Sequence, residues 1–496
     1  MSNGAGETAA SAEVRQAKPL DRTLIRAMAW TGAGKWATQL LTWASTIVVA
    51  RILAPSDYGL FGMATIYLGL IALISEFGLG QAVITLREMS AEHIAQLNTL
   101  SVAAGALLFA ISCAVAKPLG QFFHTEKLPA VVVVMSLSFL ISGAQVVPDA
   151  LLQRDLRFKL LASFDALRAL TQALTTVALA WAGFAYWSLA LGSLAGVVIY
   201  VVLTVGARYY WFAWPRLGEI KRALTFSTDV LGSRVAWYAY ANSDFLVAGR
   251  VLGTAPLGEY TIAWTVASTP VEKITNMITR VTPAFFSAVQ NDKPELRRYL
   301  LRITEGLALL TFPASFGMAL VADQFVLFVL GPKWIPATMP LRLLSFYAAL
   351  RSLTTLFPSI LNARRHSRFV MLNTIWAAIA FPAAFYYSSR WGTTGIATTW
   401  IILYPIITAP LLWRTFRDIE LPTWEYLRSW VPALRGCLIM TLAVVGVRML
   451  VPSAWPLGVR FTISVLAGGL AYLAVLGLGE RERLRGFIAL VRSERS

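Results

Sequence analysis

The amino-acid sequence predicts an all-α membrane protein of about 14 transmembrane helices, built as two six-helix lobes in parallel repeat plus two C-terminal helices. Three observations lead to this class. Of 496 residues, 57% are hydrophobic and only 14% charged, with a mean hydropathy of +0.62, which is too apolar for an ordinary soluble chain. Apolar windows long enough to cross a bilayer as helices recur along the whole chain, without the residue-by-residue alternation of barrel strands. Finally, the run ARILAPSDYGLF beginning at Ala50 returns as AGRVLGTAPLGEY beginning at Ala248. Arg51 then aligns with Arg250, Leu53 with Leu252, Gly59 with Gly258, and Phe61 with Tyr260.

Taken in order, a polar segment, 1–28, precedes the first span and is expected to stay in the cytoplasm. Lys35 inside that span argues against a cleavable signal. The first lobe, 29–208, holds spans near 29–51, 59–84, 97–117, 129–149, 161–182 and 186–206. A cytoplasmic linker, 209–228, leads to the second lobe, 229–415, with spans near 229–251, 259–283, 302–322, 336–361, 369–388 and 394–413. A cytoplasmic loop, 416–431, precedes two spans within 432–478 that have no counterpart elsewhere in the chain, and a basic tail, 479–496, ends it.

The matched stretches close the first and seventh spans, so the repeat unit is six helices. An even unit starts both copies on the same side of the membrane, which predicts a pseudo-two-fold axis along the membrane normal. Weaker echoes agree: Leu137, Ser138 and Phe139 answer Leu344, Ser345 and Phe346, and Gly183 answers Gly392.

Charge sets the orientation. Lys and Arg total 43 against 26 Asp and Glu, a net charge of +17. With both termini cytoplasmic, roughly 28 of these cations fall in inside segments and about 8 in outside loops. QRDLRFK at Gln153, PRLGEIKR at Pro215, NARRHSRF at Asn362 and ERERLRG at Glu480 carry much of the excess. The positive balance is thus a topology signal and a means of meeting anionic headgroups; no nucleic acid partner is expected.

An ionisable side chain inside a span costs at least about 2.5 kcal/mol, so those present point to a cavity or to a partner. Lys35 shares one helical face with Gln39, Thr42 and Thr46, which reads as a polar cavity wall. The repeat register carries Lys35 onto Arg234, followed by Tyr238 and Asn242 as the matching polar strip. Arg280 in MITRVTP and Arg351 near the middle of the tenth span complete four cations. Such a set suits an anionic cargo group, phosphate or pyrophosphate, because guanidinium grips oxygens in pairs while ammonium acts as a point charge. The plainer reading of Lys35 and Arg234 is snorkelling to the interface. Among carboxylates, Glu76 and Asp244 are candidates for proton or Na⁺ coupling, or static partners of a neighbouring Arg. Asp165 and Arg168 read as a local ion pair.

Other chemistry is sparse. Cys113 and Cys437 lie in apolar spans, and His93, His124 and His366 are scattered near loops, so neither a disulfide framework nor a metal site is expected. No phosphate-cradling Gly-rich loop ends in Lys and Ser or Thr, so no ATPase activity or other enzyme function is expected. Energy would come from an ion gradient or from the cargo gradient.

The run ARILAPSDYGLFGMATIYLGLIALISEFGLGQAVI (Ala50 to Ile84), QRDLRF (Gln153 to Phe158), and EYTIAW with ITRVTPAFFSAVQND resemble the polysaccharide biosynthesis flippases. These are the Wzx-type transporters of the multidrug/oligosaccharidyl-lipid/polysaccharide exporter superfamily, and the similarity runs from the first span through the twelfth. It implies a two-lobed bundle of the bacterial inner membrane that moves an undecaprenyl-pyrophosphate-linked oligosaccharide between leaflets by alternating access. It also implies work alongside polysaccharide polymerase and export proteins, in lipopolysaccharide, exopolysaccharide or capsule assembly. By that resemblance the pyrophosphate would meet Lys35, Arg234, Arg280 and Arg351, and the last two spans would accommodate the lipid tail. Trp36, Trp237, Tyr238 and Trp264 are placed to stack on sugar faces or to sit at the membrane interface. The alternative is an ion-coupled multidrug or metabolite antiporter of the related branch, which acidic ion sites in place of a cationic cavity would mark. A membrane glycosyltransferase would need acidic catalytic residues and a large soluble loop, and the sequence shows neither.

Overall fold

The computed structural model describes residues 39, 41–75, 79–85, 89–216, 237–279 and 282–479, and every regular element among them is helical. That follows from the solvent: in hydrocarbon each backbone N–H and C=O must be satisfied within its own segment. The helices are α1 (Leu41–Ile52), α2 (Pro55–Ser75), α3 (Leu79–Thr85), α4 (Ala91–Phe122), α5 (Leu128–Gly143), α6 (Val146–Arg154), α7 (Phe158–Trp181) and α8 (Tyr186–Ala207). The chain continues with α9 (237–241), α10 (Ser243–Val247) running on as a π turn (Ala248–Leu252), α11 (Thr254–Thr279), α12 (Thr282–Ala288) and α13 (Lys293–Phe325). It ends with α14 (Thr338–Thr354), α15 (Leu356–Ala363), α16 (Ser367–Ser388), α17 (Gly392–Asp418), α18 (Thr423–Arg428), α19 (Val431–Leu450) and α20 (Leu457–Gly479).

The membrane class holds; the expected count is not matched by length and apolarity alone. Seven stretches among the described residues qualify, eight if α5 and α6, bent by 47°, make one span, and one stretch, Ser367–Asp418, contains both α16 and α17. Some expected spans are broken, as at α5/α6 and α14/α15. Others are diluted by charge: α7 carries Lys159, Asp165 and Arg168, and α11 carries Glu259, Glu272 and Lys273.

The chain packs as two compact units. The first takes Met1–Ile52, Ile71–Lys117 and Pro129–Asp229; the second takes Leu53–Leu70, Pro118–Leu128 and Val230–Ser496. Within the first, small residues let backbones touch. A Cβ on Gly192 of α8 would meet the Thr176 hydroxyl of α7 at 1.9 Å, and one on Gly105 of α4 would meet the Phe139 carbonyl of α5 at 2.4 Å. The Ser101 hydroxyl of α4 donates to the Gly143 carbonyl at 2.9 Å. Arg168 lies over the Tyr200 ring at 5.7 Å, and the Tyr200 hydroxyl donates to Asp149 at 2.9 Å.

The second unit is centred on α13, which packs against α11, α14, α19 and α20. The two C-terminal helices are fastened to it at several points. The Tyr472 hydroxyl of α20 donates to the Leu309 carbonyl at 2.7 Å, and Arg448 of α19 donates to Asp323 at 2.8 Å and to the Leu320 carbonyl at 2.7 Å.

Residues Leu53–Leu70, part of the expected first lobe, group with the second unit because α2 meets α11 backbone to backbone. A Cβ on Gly59 would fall 1.7 Å from the Thr254 carbonyl oxygen, and one on Gly258 would fall 1.8 Å from that of Pro55. In the repeat register Pro55 corresponds to Thr254 as Gly59 does to Gly258, so each glycine sits on the carbonyl of the other copy's helix start. A Cβ on Gly62 would stand 3.4 Å from the hydroxyl of Thr261, its own counterpart, as expected on a two-fold axis.

Backbone turns carry the repeat further than side chains do. Positive φ occurs at His124 (52°) and Gly331 (104°), spaced as Ser138 is from Ser345. It recurs at Leu156 (56°) and Arg365 (63°), spaced as Gly183 (85°) is from Gly392 (66°). Beside the second of these turns Asp155 faces Arg208 at 3.8 Å, and beside the matching turn Arg364 binds Asp418 at 2.6 Å, so the matched residues Asp155 and Arg364 carry opposite charges.

The α2/α11 crossing admits no side chain. Gly59→Ala and Gly258→Ala should each destabilise by about 1–3 kcal/mol, the cost of overpacking a tight contact. Gly446→Ala, where a Cβ meets nothing within 4 Å, should be neutral or stabilise by up to about 1 kcal/mol. Thermal unfolding in detergent checks this; equal melting temperatures for all three would refute the contact.

Candidate cargo and ion sites

Both polar clusters described here lie in the second unit. The first is built around Trp400 on α17, 1% exposed. Tyr347 and Phe381 stand 4.6 Å from its ring, Phe385 5.1 Å and Trp264 5.7 Å. Large aromatic rings on α11, α14, α16 and α17 thus interlock in an apolar box. Into this box α10 projects Asp244, fully buried. The Tyr260 hydroxyl donates to its Oδ2 at 2.7 Å and the Trp400 indole N–H at 3.0 Å, while Oδ1 is buried with no partner among the described residues. Both donors are neutral, and no Lys or Arg among the described residues pairs with this carboxyl, so the expected static pair with an Arg is not found. An isolated buried carboxylate is expensive, and the chemistry open to it is uptake of one positive charge, a proton or Na⁺.

The second cluster is open. Arg351 stands in the last turn of α14, at the break before α15, instead of near the middle of a continuous span; there a cation also meets the helix's negative end. Its Nη1 donates to Oε1 of Glu272 on α11 at 2.9 Å, and the side chains are 32% and 44% exposed. The cation expected to await cargo alone therefore has a carboxylate partner that the sequence reading did not single out. Three residues on, in the same turn, Thr354 shares a hydrogen bond of 2.6 Å with the Tyr404 hydroxyl.

The other expected site residues divide in two groups. Lys35, Arg234, Arg280 and Glu76 lie outside the described residues, as does Trp36. Gln39 is half-buried and Thr42 exposed on α1, where the Thr46 hydroxyl donates to the Thr42 carbonyl at 2.8 Å. Tyr238 and Asn242 donate to backbone carbonyls: the Tyr238 hydroxyl to that of Ile66 on α2 at 2.9 Å, and the Asn242 amide to that of Tyr238 at 3.0 Å. Trp264 belongs to the aromatic box, whereas Trp237 is half exposed. His124 bonds Arg250 at 2.6 Å and His366 lies 3.5 Å from Asp418; no group of metal ligands forms among the described residues.

The Escherichia coli (strain K12) lipopolysaccharide biosynthesis protein WzxC is 24% identical over 393 residues, 76% of this chain and 79% of its own. The succinoglycan biosynthesis transport protein ExoT of Rhizobium meliloti (strain 1021) is 24% identical over 489 residues, 96% and 97% of the two chains. In fold, the chain is similar to the lipid II flippase MurJ in an inward closed conformation, with a TM-score of 0.71 at 12% identity over 92% of this chain and 99% of that one. The sequence pattern of the family described as polysaccharide biosynthesis protein matches residues 48–339, more than half of the chain, which includes the duplicated stretch and both carboxylates described above; the chain belongs to that family.

Proposed function

We propose that this protein is a flippase that carries an undecaprenyl-pyrophosphate-linked oligosaccharide from the cytoplasmic to the periplasmic leaflet by alternating access, for lipopolysaccharide, exopolysaccharide or capsule assembly. The observation that carries the reading is the chain-long match to a relative named as a polysaccharide biosynthesis transport protein, on a fold similar to that of a lipid II flippase. The physics is consistent with such cargo. Sugar hydroxyls stripped of water cost several kcal/mol each, so they need a wet path through protein, while the polyprenyl tail stays in lipid. Arg351, partly open and within the helical region, offers a guanidinium to the pyrophosphate, and Lys35, Arg234 and Arg280 would supply further cations. The setting would be the bacterial inner membrane with both termini cytoplasmic, beside polysaccharide polymerase and export proteins. Transport would draw on a proton or Na⁺ gradient through Asp244 or Glu76, and the protein would catalyse no covalent chemistry.

Orientation is checked by labelling single cysteines in a variant lacking Cys113 and Cys437. Ser56→Cys and Thr254→Cys should react with a membrane-impermeant reagent from the periplasm and Ser367→Cys should not; the opposite pattern inverts the topology.

In a strain lacking the native protein, a well-expressed Lys35→Ala/Arg234→Ala/Arg351→Ala variant should lower polymer export by about 100-fold or more, since each lost charge-assisted hydrogen bond costs roughly 1.5–3 kcal/mol. Lys35→Arg and Arg234→Lys should retain more activity than the alanine variants. Normal export by the triple variant would sink the cationic mechanism.

Asp244→Asn or Glu76→Gln should remove the dependence of flux on a proton or Na⁺ gradient in proteoliposomes, with the protein still folded. If both variants keep the native gradient dependence, neither carboxylate is the coupling site.

A further inference from the structure

We propose that Glu272 is an internal competitor for the cargo's anionic group, holding Arg351 when the protein is unloaded and giving it up to phosphate oxygens when cargo arrives; this rests on the flippase reading above. Three features of the pair carry the inference.

The first is its incompleteness. A guanidinium has five N–H donors in a planar fork, and among the described residues Arg351 uses one, on one oxygen of Glu272. A pair built to hold helices together inside a protein needs its remaining donors and lone pairs satisfied, as Arg364 shows by reaching both oxygens of Asp418 and the Gln290 carbonyl. Among the described residues no other group is hydrogen-bonded to the rest of its fork, which suits a second, bidentate partner, the geometry in which guanidinium grips phosphate best.

The second feature is access. With 32% and 44% of the two side chains exposed, the pair is not sealed as Asp244 is, which leaves it open to displacement by a headgroup. A carboxylate at this place keeps Arg351 from standing as a lone cation in the empty protein, and it re-forms the pair as the phosphate leaves. Glu272 therefore lowers net affinity and speeds release.

The third is asymmetry between the copies. In the repeat register Glu272 corresponds to Leu73, and Arg351 to Ala144. The first copy builds the same helices without either charge, so the pair is not a requirement of the repeated fold.

The test is binding of sugar-free undecaprenyl pyrophosphate, with undecaprenol as the neutral control, to the full chain in lipid nanodiscs. Arg351→Ala should weaken binding of the pyrophosphate lipid only. Glu272→Gln and Glu272→Leu, the second restoring the first copy's residue, should tighten it by roughly fivefold, the value of about 1 kcal/mol for a partly open ion pair, and slow its dissociation. Glu272→Asp should return affinity toward the native value. Glu272→Gln should have no effect once Arg351 is Ala, because the competition has lost its object. If Arg351→Ala weakens binding while neither Glu272→Gln nor Glu272→Leu tightens it, Glu272 is no competitor and the cargo reading stands. If the native protein does not distinguish the pyrophosphate lipid from undecaprenol, the cargo reading and this inference both fall.

Discussion

The architecture turns on one backbone contact, the crossing of α2 and α11 through Gly59 and Gly258. Lipid tails are as apolar as leucine, so helices in a bilayer gain little by hiding apolar faces from their surroundings and must associate by close packing and polar contacts. The two glycines meet carbonyl oxygens at separations no β-carbon could share. That distance fixes how deep α2 lies against α11, and through α11 the position of Tyr260, Trp264 and Glu272. It also explains why the start of α2 joins the second compact unit although it belongs to the first copy of the sequence. The contact is reciprocal because both partners descend from one stretch, so one steric solution serves twice.

Within the second unit, two carboxylates follow opposite rules. Asp244 is sealed by Trp400 and Tyr260, with neutral donors and one unpartnered oxygen. Glu272 is open and faces a cation. A sealed acid responds to the small cation it can take up, whereas an open ion pair responds to any anion that reaches its guanidinium. One helix joins these regimes: α14 carries Arg351 and also Tyr347, whose ring lies 4.6 Å from that of Trp400.

Much of this was legible in the sequence. Apolar windows located the helices, but they marked only the greasy middle of α4 and α13, whose polar first turns, such as Lys293 to Arg302, continue the same hydrogen-bonded ladder outside the apolar run. The breaks at α5/α6 and α14/α15 left no signal in hydropathy, since both halves are apolar. Asp244 stood out as a lone carboxylate in a greasy stretch. Its donors did not, because Tyr260 and Trp400 come from α11 and α17 and only packing brings them together. Arg351 was visible and its pairing was not, although Glu272 was present as a signal in an expected span. The repeat was read from side-chain echoes that fade after the eighth span. Its turns persist better, since a left-handed backbone residue is demanded by geometry whether the chain supplies Gly331 or His124.

The exchanged ion pairs have a consequence for how such a chain assembles. Two homologous halves emerging in succession into one membrane run the risk that a segment of one docks in the place meant for its twin. Asp155 and Arg364 occupy matching places with opposite charge, and each pairs within its own half, with Arg208 and with Asp418. A swapped docking would set Asp155 against Asp418 and Arg208 against Arg364, like charge against like. The sign reversal at this one turn thus sets a small electrostatic penalty against exchanging the two copies.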